Sequence, residues 1–145
     1  MPPEFDLIAR HFTRPTPDAV LGVGDDCALL SPTRGMQLAV SSDMLLEGRH
    51  FLSQDSPAGI GHKSLAVNLS DLAAMGATPR WATLSIALPG VDEAWLQAFS
   101  RGFFRMADAH GAVVGVVEAR DQLRRRRLAA ARLADEREAA ARRDV

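Results

Sequence analysis

Apolar positions along the first 117 residues fall into blocks of two different periods. Glu4 to Phe12 (EFDLIARHF) carries Phe5, Leu7, Ile8 and Phe12 at helical spacing, and Pro15 and Pro17 break the pattern. Val20 to Val23 and Ala28 to Leu30 are short apolar runs on either side of the polar knot Gly24-Asp25-Asp26-Cys27. Met36 to Ser42 (MQLAVSS) reads as a strand ending at Asp43. Pro57 to Ala77 is rich in Ala and Leu, opens with Ser56 as N-cap and Pro57 at the first helical position, and stops at Gly76, which predicts a helix. Trp81 to Leu88 (WATLSIAL) reads as a strand closed by Pro89-Gly90. Asp92 to Ala109 carries Trp95, Leu96, Phe99, Phe103 and Met106 at amphipathic spacing and ends at Gly111, and Ala112 to Val117 predicts a short buried strand. This order of elements predicts an α/β or α+β sandwich, one mixed sheet with helices against one face.

The length of 145 residues allows one ordinary domain, and a 47% apolar content lets residues 1–117 bury a core. The single cysteine, Cys27, excludes an internal disulfide framework and suits a reducing compartment. There is no leader-like opening and no apolar run long enough to span a bilayer, so the expectation is a cytoplasmic protein with no membrane contact.

The net charge of −1 hides an asymmetry. Residues 1–117 hold 8 Lys and Arg against 12 Asp and Glu, a balance of −4. Residues 118–145 hold 9 Arg against 6 acids, a balance of +3, with Arg124 to Arg127 consecutive. An acidic body argues against nucleic-acid binding through phosphate contacts and suits a domain that collects divalent cations. The change of composition divides the chain into a domain over 1–117 and an Arg/Ala-rich tail over 118–145, helical by propensity or unstructured.

Three acidic patches sit among apolar or small residues. In Gly22-Val23-Gly24-Asp25-Asp26-Cys27-Ala28, adjacent carboxylates repel unless a cation relieves them; a polar turn between two strands is the competing reading. Ser41-Ser42-Asp43 offers two hydroxyls and a carboxylate, the hard oxygens that magnesium takes. Glu47 and His50 follow, each open to a plain loop role as well as to ligand contact. In Leu65 to Gly76, Asp71 is the only ionisable residue and shares a helical face with Asn68 and Met75. A carboxylate buried in so apolar a helix needs a partner, which could be a metal, a nearby loop or Arg80. Joined in space, Asp26, Asp43 and Asp71 would form a polyacidic pocket for magnesium and substrate phosphates. Neither phosphate-binding glycine motif is present, and one Cys with four scattered His has no zinc spacing.

Four segments in order, EFDLIARHF, GVGDDCALL at 22–30, SSDMLLEGRHF at 41–51 and KSLAVNLSDLAAMGATPRW at 63–81, give residues 4–110 a close resemblance to the N-terminal domain of the thiamine-monophosphate kinases, within the aminoimidazole-ribonucleotide-synthetase-like superfamily. The resemblance implies transfer of the γ-phosphate of ATP to thiamine monophosphate, giving thiamine diphosphate. It implies several magnesium ions held by Asp26, Ser41, Ser42, Asp43 and Asp71, with Asp25 supporting the loop. Thr often stands in the family where Ser42 does, which keeps the hydroxyl. His50 would contact the thiamine phosphate. The implied assembly is a homodimer whose strands form a barrel across the two protomers, with ATP near their interface. The likeness ends near Gly111: the family continues to Gly-Gly-Asp-Thr-Thr and a further domain, whereas here Ala112-Val113-Val114-Gly115 leads to Val116-Val117-Glu118-Ala119-Arg120-Asp121. A frame change or gene fragment, inactive by itself, is one expectation from that departure; an extension that docks an acidic partner through Arg124–Arg127 is the other.

Overall fold

The computed structural model describes residues 3–15, 19–21, 23 and 27–121. Helix α1 spans Pro3–His11, strands β1 and β2 span Ala19–Leu21 and Leu29–Leu30, helix α2 spans Pro57–Ala74, strand β3 spans Trp81–Leu88, helix α3 spans Glu93–His110 and strand β4 spans Val113–Asp121. The class is α/β. The described strands pair as two ladders rather than as one mixed sheet: β1 with β2 antiparallel, β3 with β4 parallel. A parallel pair needs a crossover, and α3 supplies it, making β3–α3–β4 a βαβ unit.

Both long helices begin where the sequence predicts. Ser56 Oγ accepts from the Gly59 amide at 3.0 Å with Pro57 behind it, and Asp92 Oδ1 accepts from the Trp95 amide at 3.0 Å. Each cap satisfies one amide that the first helical turn leaves without a partner.

The core gathers residues of α1, α2 and α3 with Leu88, Val114 and Val117 of the β3–β4 ladder. Phe12, 1% exposed, sets its ring edge-on to Phe99 at 6.3 Å and tilted to Phe104 at 6.4 Å, so α1 is pinned to α3 through aromatic packing. Ile60, Leu65 and Leu69 of α2 join Leu96, Phe99 and Phe103 of α3. The two helices cross with backbone against backbone. A Cβ added at Gly61 would lie 2.0 Å from the Phe99 carbonyl oxygen, and one at Gly102 would lie 1.9 Å from that of Ala58. Arg10 and His11 both meet Glu93, and Arg14 meets Asp108 while covering the Phe104 ring at 3.8 Å. Such exposed pairs orient α1 more than they stabilise it.

Two elements depart from the sequence pattern. Residues 36–42 form no strand. Met36, Leu38 and Val40 are exposed, at 71%, 54% and 80%, as are Gln37 and Ala39 between them, and no described segment pairs with them. An alternating pattern becomes a strand only when a neighbour satisfies its backbone and covers its apolar side. At the other end, β4 continues through the composition change at 118, with Glu118 opposite Ser85 and Asp121 opposite Leu88. The register skips Gly115 between the Ala82–Val114 and Thr83–Val116 pairs, a bulge that leaves Val114 and Val117 both buried. Residues 122–145 lie outside the described residues.

Candidate functional site

One stripe of α2 gathers the polar chemistry. Asn68 Nδ2 donates to the Ser64 carbonyl at 3.1 Å, which holds the amide with its Oδ1 free to accept. Ser41, arriving on the segment before the helix, has its Oγ 3.0 Å from Asp71 Oδ2 and 3.3 Å from Asn68 Oδ1. Ser41 is half-buried, as its role in seating that segment on α2 requires. A hydroxyl has one proton, so it serves one of these acceptors at a time. The Ser41 hydroxyl, the Asn68 carbonyl and the Asp71 carboxylate are therefore rich in lone pairs and poor in donors.

That donor set fits a hard divalent cation such as magnesium, which takes carboxylate, hydroxyl and amide oxygens. Ser42 and Asp43 follow directly, exposed and with no side-chain partner among the described residues. Asp71 differs from the sequence expectation in one respect. It is exposed rather than buried, because α2 turns that face away from α3, and among the described residues it makes no ion pair with Arg80 or any other cation. Its partner is the Ser41 hydroxyl. Asp25 and Asp26 lie outside the described residues, and among the described ones no three His, Cys, Asp or Glu side chains converge on one point.

The second part of the site is the turn over residues 46–51. The His50 amide donates to the Leu46 carbonyl at 2.9 Å, and the Leu46 amide donates to His50 Nδ1 at 3.0 Å, so the two residues close on each other in both directions. Gly48, at φ 77°, makes the reversal and donates to the Phe51 carbonyl at 2.7 Å. Glu47 is exposed and its backbone bridges to Phe51. Phe51 packs on the core, and Lys63 of α2 donates to the His50 carbonyl. Lys63 and Asp71 are eight residues apart on one helix, roughly 12 Å along its axis. Helix α2 thus carries a cation in its first half, tied to the turn, and the oxygen acceptors about two turns further on. A separate hollow of about 300 Å³ lies between the C-terminal ends of α2 and α3, lined by Leu69, Ala73, Pro79 and Met106. It contains none of the groups of the stripe or the turn; its polar lining is Ser70 and His110.

Residues 24–119, well over half of the chain, match the model of the family described as AIR synthase related protein, N-terminal domain. The chain belongs to that family. The matched span of this AIR synthase related domain takes in every residue of the stripe and of the turn. The chain is 56% identical over 104 residues to a thiamine-monophosphate kinase of Escherichia coli (strain K12), covering 70% of this chain and 32% of the relative. It is 54% identical over 106 residues to one of Salmonella typhimurium (strain LT2), covering 71% and 33%. A crystal structure of thiamine-monophosphate kinase from Stenotrophomonas maltophilia K279a superposes with a TM-score of 0.67 at 46% identity, over 80% of this chain and 36% of that one. The chain therefore spans about a third of the length of the curated relatives it matches.

Within this AIR synthase related domain, two of the three expected patches meet, through Ser41 and Asp71. His50 stands in its own turn, tied to the same helix. Sequence reasoning passed over Lys63. Its signal was available: a cation eight residues before Asp71 on the predicted helix, at a position that bears on neither the apolar face nor a cap.

Proposed function

We propose that the protein provides the metal- and thiamine-phosphate-binding half of a thiamine-monophosphate kinase site, for ATP-dependent conversion of thiamine monophosphate to thiamine diphosphate. The observation that carries the reading is the Ser41 hydroxyl between Asp71 and Asn68, in a chain whose relatives bear that name. In this reading Asp26, Ser41, Ser42, Asp43 and Asp71 hold magnesium, and His50 donates a hydrogen bond to the phosphate of thiamine monophosphate. Bound magnesium would neutralise and align the phosphate oxygens of both substrates. An oxygen of the thiamine phosphate attacks the γ-phosphorus of ATP. That P–O bond forms as the bond to the bridging oxygen of ADP breaks, and ADP leaves with the electron pair. No side chain becomes covalently bonded; the residues contribute positioning and electrostatics.

A second copy of the chain covers the exposed side of Met36, Leu38 and Val40, giving a homodimer with ATP near the shared edge. The binding unit runs past the composition boundary at 118 to the end of β4 at Asp121, the basic segment follows it, and the site of action is the cytoplasm. One observation favours a second reading, a chain that binds magnesium and thiamine phosphate without turnover: Ala112-Val113-Val114-Gly115 leads to Val116-Val117-Glu118-Ala119-Arg120-Asp121, where the resembling family runs on into Gly-Gly-Asp-Thr-Thr. Incubating the purified chain with ATP, magnesium and thiamine monophosphate separates the two. The kinase reading expects thiamine diphosphate, with loss of product in Asp71→Ala. Magnesium-dependent thermal stabilisation and no product selects binding alone. Neither product nor stabilisation removes both.

A further inference from the structure

The turn that carries His50 is more constrained than a surface loop requires, and its constraint decides which face of the imidazole is available. A backbone amide can only donate, so the Leu46 N–H at 3.0 Å makes Nδ1 of His50 an acceptor. In the neutral ring the proton then sits on Nε2, and Nε2–H is the only donor the ring can present to a ligand. Among the described residues, the hydrogen bond that ties this turn to α2 comes from Lys63, whose ammonium donates to the His50 carbonyl thirteen residues away. Holding a lysine in one conformation costs side-chain entropy. Here it tethers to a rigid helix a turn that otherwise rests on Gly48 and on the packing of Phe51.

We propose that Lys63 is a positioning residue for His50: it clasps the His50 carbonyl so that the imidazole stays bonded to Leu46 through Nδ1 and points its Nε2–H at an anionic phosphate oxygen. The ligand end of this inference rests on the reading that His50 meets the substrate phosphate. The clasp itself does not. Lys63 therefore contributes to affinity through the geometry of His50, and its own remaining N–H groups need not touch the ligand.

The test uses the full ¹⁵N-labelled chain. Long-range ¹H–¹⁵N spectra of the imidazoles, with His50 assigned by its loss in His50→Gln, report the tautomer. Titrations with thiamine monophosphate in magnesium buffer, and with inorganic phosphate, report affinity. The wild type is expected to show His50 as the single Nε2–H tautomer. Lys63→Met is expected to mix the two tautomers and weaken thiamine monophosphate on the order of tenfold, the scale of one charge-assisted hydrogen bond. Its melting temperature should stay at the wild-type value, and Lys63→Arg should restore the single tautomer. In a His50→Gln background, Lys63→Met should cost less than threefold, since the residue acts through His50. An unchanged His50 tautomer in Lys63→Met overturns the proposal. So does an equal loss of affinity with and without His50, which would mean that Lys63 binds the ligand directly. If the wild type binds neither probe, the phosphate role of His50 fails, and the tautomer comparison still decides whether Lys63 sets the ring.

Discussion

At the scale of the residue, the oxygen cluster and the turn differ in what a substitution removes. Ser41 contributes one hydroxyl beside the Asp71 carboxylate. A carboxylate attracts a cation by charge and a hydroxyl only by its dipole, so on the proposed reading that these residues hold magnesium, Ser41→Ala should weaken its binding several-fold where Asp71→Ala abolishes it. Magnesium titration followed by melting temperature checks the ranking, and equal effects would contradict it. Gly48 sits at φ 77° with open space around the position of a Cβ, so an alanine there meets no clash and suffers only the conformational strain. Gly48→Ala should cost about 1 kcal/mol, confined to the turn. Hydrogen exchange should rise at the amides of Leu46, Gly48 and His50 while those of α3 stay unchanged.

At the scale of the element, the crossing of α2 and α3 is the contact on which the stripe depends. Gly61 and Gly102 each face a carbonyl oxygen of the other helix at a distance no side chain tolerates. Relief requires the helices to move apart, which opens the packing around Phe99 and Phe103. Gly61→Ala and Gly102→Ala should each destabilise by about 3 kcal/mol, a fall of roughly 10 °C in melting temperature. Gly59→Ala is the control, since its added Cβ would sit 3.4 Å from Ser56 Oγ, an ordinary contact. It should leave the melting temperature near the wild-type value, and a fall as large as that of Gly61→Ala would refute the crossing. Both helices were legible in advance because each carries its own start and stop: Ser56-Pro57 and Gly76, Asp92 and Gly111. Their crossing was not, because a glycine inside a helix has the same local character whether it faces solvent or another backbone.

At the scale of the whole molecule, the segment over residues 36–46 carries apolar side chains that none of the described residues covers. Met36, Leu38, Val40, Met44 and Leu46 are all at least half exposed, and Met75 at the end of α2 is 78% exposed. On the reading that a second copy covers this side, Leu38→Lys with Val40→Lys should shift the protein toward the monomer in sedimentation velocity, without unfolding α2 or α3. Self-association unaffected by both charges would remove that reading. The same segment marks where local pattern and folded outcome part. The alternation from Met36 to Ser42 is that of a strand, but none of the described residues supplies a partner for it. At β4 the reverse happened: composition marks a break at 118, while the register with β3 runs on to Asp121. Pairing depends on backbone groups, which composition does not record.

By itself the sequence determined the helices, the β3–α3–β4 order, the α/β class and the acidic patches, because caps, breakers and apolar periods act over a few neighbouring residues. Only the tertiary structure decided that Ser41 reaches Asp71, that Asp71 faces outward, and that Lys63 holds the turn of His50. Those facts join residues thirteen to thirty positions apart. The packing of α2 on α3 decides which face of α2 stays outside, and the preceding segment and turn bond to that helix from elsewhere in the chain; no local pattern contains either.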